Sequence, residues 1–217
     1  MLKVKKFIFN PFQLNAYVVF NETTGKALIF DPAVSNETEM QQLENFISGN
    51  NLIPQLLVNT HSHIDHILGN LKVADRYSIR LAAHPAGQPF LDHAYDSAAR
   101  FGLTLNGIKK IDVPLDEGDK LTLGKDALQV FYTPGHADGS LCFYAEKEKF
   151  VITGDVLFYQ SIGRTDLPTG DYDLLQKSIW EKLFVLPEDT IVYPGHGPDT
   201  IISQEKLHNP FVTIGME

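Results

Sequence analysis

The sequence predicts a mixed α/β (α+β) fold in four layers, an αββα sandwich, and three observations carry that expectation. The chain opens on short strand-like runs, continues as alternating strands and helices, and returns to a β-rich stretch closed by a helix. Helices therefore interrupt two β-rich blocks. Two sheets can cover each other's inner faces while amphipathic helices cover the outer ones, so one sandwich satisfies the whole pattern. No internal repeat, low-complexity tract or Pro/Gly/Ser-rich linker divides the 217 residues, and a single domain over 1–217 is expected.

Taken in order, strands are expected over 3–9, 16–20 and 26–30, with the Asn and Gly of 21–25 suited to a hairpin loop. This reads as an antiparallel meander. Asn36 and Glu39 stand in capping-box spacing and Gly49 lies just past the end, which sets a helix over 36–48. A strand follows over 55–59, a helix over 65–77, a strand over 79–83 and a helical stretch over 87–101. The β-rich return comprises 120–123, 127–132, 141–145 and 150–153, before a helix over 172–184 and a strand over 190–193.

Composition narrows the function. With 43% hydrophobic and 21% charged residues the chain can bury a full core. Its 18 Lys+Arg against 27 Asp+Glu give a formal charge of −9, which repels phosphate backbones and anionic headgroups, so nucleic acid and membrane surfaces are excluded as general partners. The one cysteine, Cys142, lies in the apolar run Leu141, Phe143, Tyr144 and reads as a small hydrophobe. Lysines at 3, 5 and 6 precede an apolar stretch that Asn10 and Pro11 cut too short for a signal-peptide core. No run approaches a membrane span, and a cytoplasmic location is expected.

The densest chemistry is the string His61, Ser62, His63, Ile64, Asp65, His66, an HxHxDH pattern directly after the strand at 55–59. In an extended segment His61 and His63 point the same way, while Asp65 and His66, where the chain turns helical, swing toward a second point. One string can feed two metals. Three further strand ends repeat one design: Gly135 then His136, Gly154 then Asp155, Gly195 then His196. Glycine before each candidate ligand lets the backbone approach where a side chain would clash. His84, His93 and His208 read as structural or surface residues, and Asp31, followed by Pro32, reads first as a turn cap and second as a buried partner for a ligand.

This ordered set, HxHxDH, then a distant His, an Asp and a final His, resembles the metallo-β-lactamase superfamily across nearly the whole chain. Within it, Thr133 to His136, Gly154 Asp155, Gly163 Arg164 Thr165 Asp166 and Tyr193 to Pro198 are similar to glyoxalase II, the hydroxyacylglutathione hydrolases, and most of all to their short bacterial type. The resemblance implies a metallo-β-lactamase-like sandwich and two divalent metal ions, zinc first, with iron or manganese compatible. It implies His61, His63 and His136 on one ion, Asp65, His66 and His196 on the other, and Asp155 bridging. The implied reaction is hydrolysis of an acyl thioester such as S-D-lactoylglutathione by a water activated between the metals, with Asp65 and Asp155 serving catalysis and Arg164 substrate binding. Longer glyoxalase II enzymes grip glutathione with a helical domain after the final histidine, and here 21 residues follow His196. The Gly163 to Asp166 loop also resembles the persulfide dioxygenases, which would place one iron on His61, His136 and Asp155. Other hydrolases of the superfamily, such as lactonases, are further alternatives. The loop 158–171, following Asp155, is expected to border the substrate entrance.

Overall fold

The structure, a computed structural model, describes residues 1–212, so 213–217 of the expected single unit lie outside the described residues. Strand β1 (Leu2–Phe9) pairs antiparallel with β2 (Leu14–Asn21), and β2 with β3 (Lys26–Phe30), which is the expected meander. Helix α1 (Glu37–Gly49) then leads to β4 (Ile53–Val58), parallel to β3. The Asn36 side chain caps α1 by accepting from Glu39 N at 2.9 Å. The reciprocal half of the capping box does not form: Glu39 instead accepts from Ser35 N at 2.6 Å and Asn10 N at 2.9 Å, tying the helix start to the β1–β2 turn. Gly49 is the last helical residue and Asn50 the cap.

Two helices, α2 (Ile64–Ile67) and α3 (Asn70–Tyr77), replace the single helix expected over 65–77. The break falls at Gly69, where a Cβ would meet Pro32 O at 1.8 Å. Only a backbone without a side chain passes there, and the chain is redirected. Strand β5 (Arg80–Ala83) lies parallel to β4. The helical stretch expected over 87–101 is a 3₁₀ turn (Pro85–Gly87), then α4 (Gln88–Asp92) and α5 (Ala94–Arg100). The short β6 (Val113–Pro114) completes a six-stranded sheet in the order β1-β2-β3-β4-β5-β6.

The second half builds another six-stranded sheet. Strands β7 (Lys120–Leu123), β8 (Asp126–Tyr132), β9 (Leu141–Ala145) and β10 (Phe150–Gly154) run as an antiparallel meander. A small hairpin, β11 (Leu157–Phe158) and β12 (Ser161–Ile162), precedes α6 (Tyr172–Ser178), which continues as a π-helical turn over Ile179–Leu183. Strand β13 (Ile191–Pro194) lies parallel to β10, and β14 (Thr200–Ile201) and α7 (Ile202–His208) follow. The sheet order is β14-β13-β10-β9-β8-β7.

Three apolar layers hold these elements, as four structural layers require. One lies between the outer face of the first sheet and α1, α3, α4 and α5, with Ile29, Leu57 and Leu81 against Leu43, Val73 and Leu91. A second lies between the sheets, where Leu28, Phe30 and Val58 meet Val130, Phe143 and Ile152. The third joins the second sheet to α6 and α7 through Cys142, Tyr144, Val192, Leu175, Ile179 and Ile202. The period of two decides each assignment: Leu141, Phe143 and Ala145 of β9 face the other sheet, while Cys142 and Tyr144 face the helices. Among the described residues no helix is long and apolar enough to cross a membrane.

Candidate metal centre

Strand direction gathers the candidate ligands at one edge of the sandwich. In the second sheet β8 is antiparallel to β9, β9 to β10, and β13 is parallel to β10, so β8, β10 and β13 point the same way. His136, Asp155 and His196 leave their C-terminal ends. In the first sheet β3 and β4 are parallel and deliver Asp31 and the His61–His66 string in the same manner.

The structure brings together all seven residues singled out from the sequence. His61 Nε2 lies 3.1 Å from His63 Nδ1 and 3.2 Å from His136 Nε2, and His63 Nδ1 lies 2.9 Å from His136 Nε2. Beside this trio, His196 Nε2 lies 3.1 Å from Asp65 Oδ2, and His66 Nε2 lies 3.9 Å from the same oxygen. Asp155 sits between the two groups: Oδ1 is 3.3 Å from His66 Nε2, and Oδ2 is 3.7 Å from both His136 Nε2 and His196 Nε2. At Gly195 an added Cβ would stand 2.2 Å from Asp155 Oδ1, so the glycine before His196 is what allows this approach.

The residues fit metal ions. Three ring nitrogens forming a triangle about 3 Å on a side lie about 2 Å from a point just off its centre, which is a Zn–N bond length. Protons cannot satisfy three nitrogens converging in this way, whereas a cation can. Among the described residues His66 Nε2 and Asp155 Oδ1 are buried and, although 3.3 Å apart, make no hydrogen bond of normal geometry, an arrangement that a cation engaging both would relieve. His61, His63 and His136 form one group able to hold an ion, Asp65, His66 and His196 form another, and His61, His66 and Asp155 form a third that overlaps both.

The outward ring nitrogens are anchored. His136 Nδ1 donates to Arg164 O at 2.7 Å, and His66 Nδ1 donates to Asp31 Oδ2 at 3.0 Å, which fixes each ring with Nε2 turned inward. Asp31 is therefore the buried partner of His66 rather than the turn cap first expected. It also accepts from Thr60 N and Thr60 Oγ1 at 2.8 and 2.6 Å, contacts that adjacency in sequence could not reveal.

Burial, and then the neighbouring charges of His66 and His63, holds His61 well below the usual imidazole range. Burial and then His136 push His63 down to about 4, so His61 and His63 stay neutral and their lone pairs stay free. Burial alone would also keep His66 neutral, but Asp155, Asp31 and Asp65 together raise it well above its usual value. Burial likewise opposes the charge on Asp155, yet His66 above all draws its carboxyl below the carboxylate range. The site thus offers imidazoles and carboxylates, the donor types of zinc, iron and manganese sites.

A cavity of about 560 Å³ opens over His63, Asp65, His136, Asp155 and His196. Phe158, Ile162, Arg164, Leu167 and Pro168 of the loop 158–171 line one side, as expected. Phe12, Phe90, Arg100 and Phe101 also line the cavity, and no sequence signal marked them. Arg164 also forms a two-pronged ion pair with Asp166, both contacts at 2.7 Å. His84, His93 and His208 stay outside the cluster: His84 accepts from Ala86 N and stacks on Tyr132, and the other two are exposed.

Known proteins share this arrangement of sheets and sequence. The sequence model of the Metallo-beta-lactamase superfamily matches residues 9–196, a span ending on the last clustered histidine. The hydroxyacylglutathione hydrolase GloC of Haemophilus influenzae is 34% identical over 208 residues, covering 93% of each chain. The crystal structure of the BLEG-1 B3 metallo-beta-lactamase is 40% identical with a TM-score of 0.87, covering 97% of this chain and all of that one. That of TTHA1623 in a di-iron-bound form is 34% identical with a TM-score of 0.82, covering 95% of this chain and 99% of that one. With its clustered histidines and aspartates inside the matched span, the chain belongs to the metallo-β-lactamase superfamily of metal-dependent hydrolases.

Proposed function

We propose that this chain hydrolyses acyl thioesters at two divalent metal ions, and that S-D-lactoylglutathione is the substrate to try first. The observation that carries the reading is the convergence of seven donor side chains as two groups that share Asp155. His61, His63 and His136 would hold one ion and Asp65, His66 and His196 the other, with Asp155 between them. When bound, the ions supply polarisation of a carbonyl oxygen and a water acidified toward neutral pH. Zinc suits this N/O set, and the di-iron-bound TTHA1623 supports iron as an occupant.

The chain's own residues do the remaining work. Asp31 and the Arg164 carbonyl hold the His66 and His136 rings in place, so the donors need no reorganisation during the reaction. Asp65 and Asp155 line the cavity and accept from the attacking water, orienting it toward the substrate carbonyl. Phe90, packed edge-on against His63 at 5.2 Å, and Phe158, edge-on to His196 at 6.2 Å, narrow the access of bulk water. Arg164, on the rim, meets the substrate as it enters. Similarity to GloC supports a thioester with a glutathione-type thiol, and the charge of −9 weighs against nucleic acid. We place this activity in one unit over 1–217, in the cytoplasm.

Metal analysis of protein purified without added metal, joined to hydrolysis assays, tests the reading. Two ions per chain are expected, and His66→Ala and His196→Ala should each lower the count toward one and cut thioester hydrolysis by orders of magnitude. Failure on every thioester by a two-metal preparation sinks it, and similarity to BLEG-1 then makes a β-lactam the next substrate. A second reading, a mononuclear iron dioxygenase of thiol persulfides, draws on His136 lying 3.2 Å from His61 and 3.7 Å from Asp155. It predicts one iron per chain and persulfide-dependent O₂ uptake that survives His66→Ala. The separate donor group of Asp65, His66 and His196 favours two ions, because a single iron on His61, His136 and Asp155 leaves that group without a cation.

A further inference from the structure

Beyond the metal-facing groups, the described residues of the cavity wall are apolar and aromatic except for Ser62, Ser97 and two arginines, which alone carry charge. Arg164 is already matched by Asp166. Arg100 is not: among the described residues no hydrogen bond or ion pair joins its guanidinium. It is the last residue of α5, on the side that also turns Ala94 and Ser97 to the cavity at successive intervals of three. Phe101 follows at 59% exposure and packs edge-on against Phe12 with ring centres 5.4 Å apart. An unmatched cation thus stands beside an aromatic pair, Phe101 exposed and Phe12 half-buried, at the mouth of the metal cavity.

We propose that Arg100 is a specificity-determining residue, which binds a carboxylate on the thiol half of the substrate while the Phe12–Phe101 pair covers the apolar chain between that carboxylate and the thioester. The proposal rests on the thioester reading and names its substrate class: acyl thioesters of carboxylate-bearing thiols. The metal centre fixes the reacting carbonyl, and one anchor leaves the rest of a flexible substrate free to turn. A second anchor across the cavity turns binding energy into orientation. A guanidinium suits the task because its planar fork matches the two oxygens of a carboxylate. In a chain of formal charge −9, this cation also gives an anionic substrate a local place to land.

The test uses the full-length, metal-loaded protein with three probes. These are S-D-lactoylglutathione, the same thioester with its carboxylates blocked as ethyl esters, and S-methylglutathione, a thioether that cannot be hydrolysed. Arg100→Gln should raise KM for the free-acid thioester about tenfold with little change in kcat, and should erase the preference over the blocked one. Arg100→Lys should fall between, keeping the charge without the fork. Lys125→Gln, which removes an exposed charge between β7 and β8, should leave these values unchanged. Calorimetry should show S-methylglutathione binding about tenfold more weakly to Arg100→Gln. An unchanged preference in Arg100→Gln, an equal loss in Lys125→Gln, or no binding of S-methylglutathione to the unaltered protein overturns the anchor. If the protein cleaves thioesters and Arg100→Gln behaves like it, the anchor fails and the function stands. If no thioester is cleaved but S-methylglutathione binding still depends on Arg100, the function fails and the anchor stands.

Discussion

Asp31 holds a backbone φ of +43° with its side chain almost fully buried, a conformation that costs a residue with a Cβ about 1–2 kcal/mol. The bend turns its carboxylate onto Thr60 N, Thr60 Oγ1, Asn59 Nδ2 and His66 Nδ1. Asp31→Asn keeps the shape but turns an amide toward one set of donors, so His66 loses its fixed orientation. The ion held by His66 should then be lost to a chelator about 10–100-fold more readily, with the other ion retained; equal retention of both in a chelator titration would count against this role. Arg164 divides its work differently. Its carbonyl anchors His136 while its guanidinium pairs with Asp166 on the surface, so Arg164→Ala keeps the metal-supporting contact. Metal content should be unchanged and KM for the thioester raised by less than in Arg100→Gln, whereas a fall in thermal stability with intact kinetics would make the side chain structural. Cys142 is fully buried, and burial pushes its thiol up to about 12. Iodoacetamide at about pH 8 should leave it unlabelled in the native protein and label it after unfolding.

At the scale of elements, the sequence was legible wherever a pattern repeated. The strands β7 and β9 match their expected bounds, because the apolar alternation of β7 and the short continuous apolar run of β9 are both local signals. The HxHxDH string and the three Gly-ligand strand ends were legible for the same reason, since each packs several donors into a few residues. Strands β6, β11, β12 and β14 have two residues each, too few for any period, and were not anticipated, nor was α7. Asp31's partnership and the place of Arg100 beside Phe12 exist only through chain-distant packing. The β11–β12 hairpin shows how such packing reaches the site. Its turn residue Gln160, at φ +51°, donates its N–H to Glu205 of α7 at 2.8 Å, and Asn209 Nδ2 donates to Ser161 O at 3.0 Å. Glu205 is wholly buried and also accepts from Thr200 Oγ1 and Asn209 Nδ2. Glu205→Ala removes the acceptor for three donors at once and should lower stability by about 2–3 kcal/mol in urea titration. It should also speed proteolytic cleavage around 159–161, ahead of global unfolding; cleavage at the rate of the unaltered protein would mean that α7 does not hold the hairpin.

For the whole molecule, the arrangement that matters is one sheet clamped on the other, with the candidate ligands of both meeting at a shared edge. The inner apolar layer does most of the clamping, but a polar link closes its far side. Asp126, at the start of β8, accepts from Lys147 Nζ at 2.7 Å within its own sheet and from Asn21 Nδ2 at 2.9 Å at the end of β2 in the other. The hydrogen bond from Lys147, more than any other influence, holds the Asp126 carboxyl below the usual carboxylate range. The folded group therefore binds its proton at lower pH than it does in the unfolded chain. Across that interval the unfolded state carries the extra proton, so stability falls as the solution is acidified. The contribution is complete above about pH 4, the ordinary aspartate value, and disappears as pH drops through the lowered folded value. Asp126→Asn cannot titrate and cannot pair with Lys147 as an anion. It should lower the urea midpoint at neutral pH and flatten the decline of that midpoint below about pH 4, leaving the two proteins closer in stability in acid than at pH 7. Parallel midpoint curves for the two proteins over the whole range would show that this carboxylate gives the sheet-to-sheet contact no charge-dependent stability.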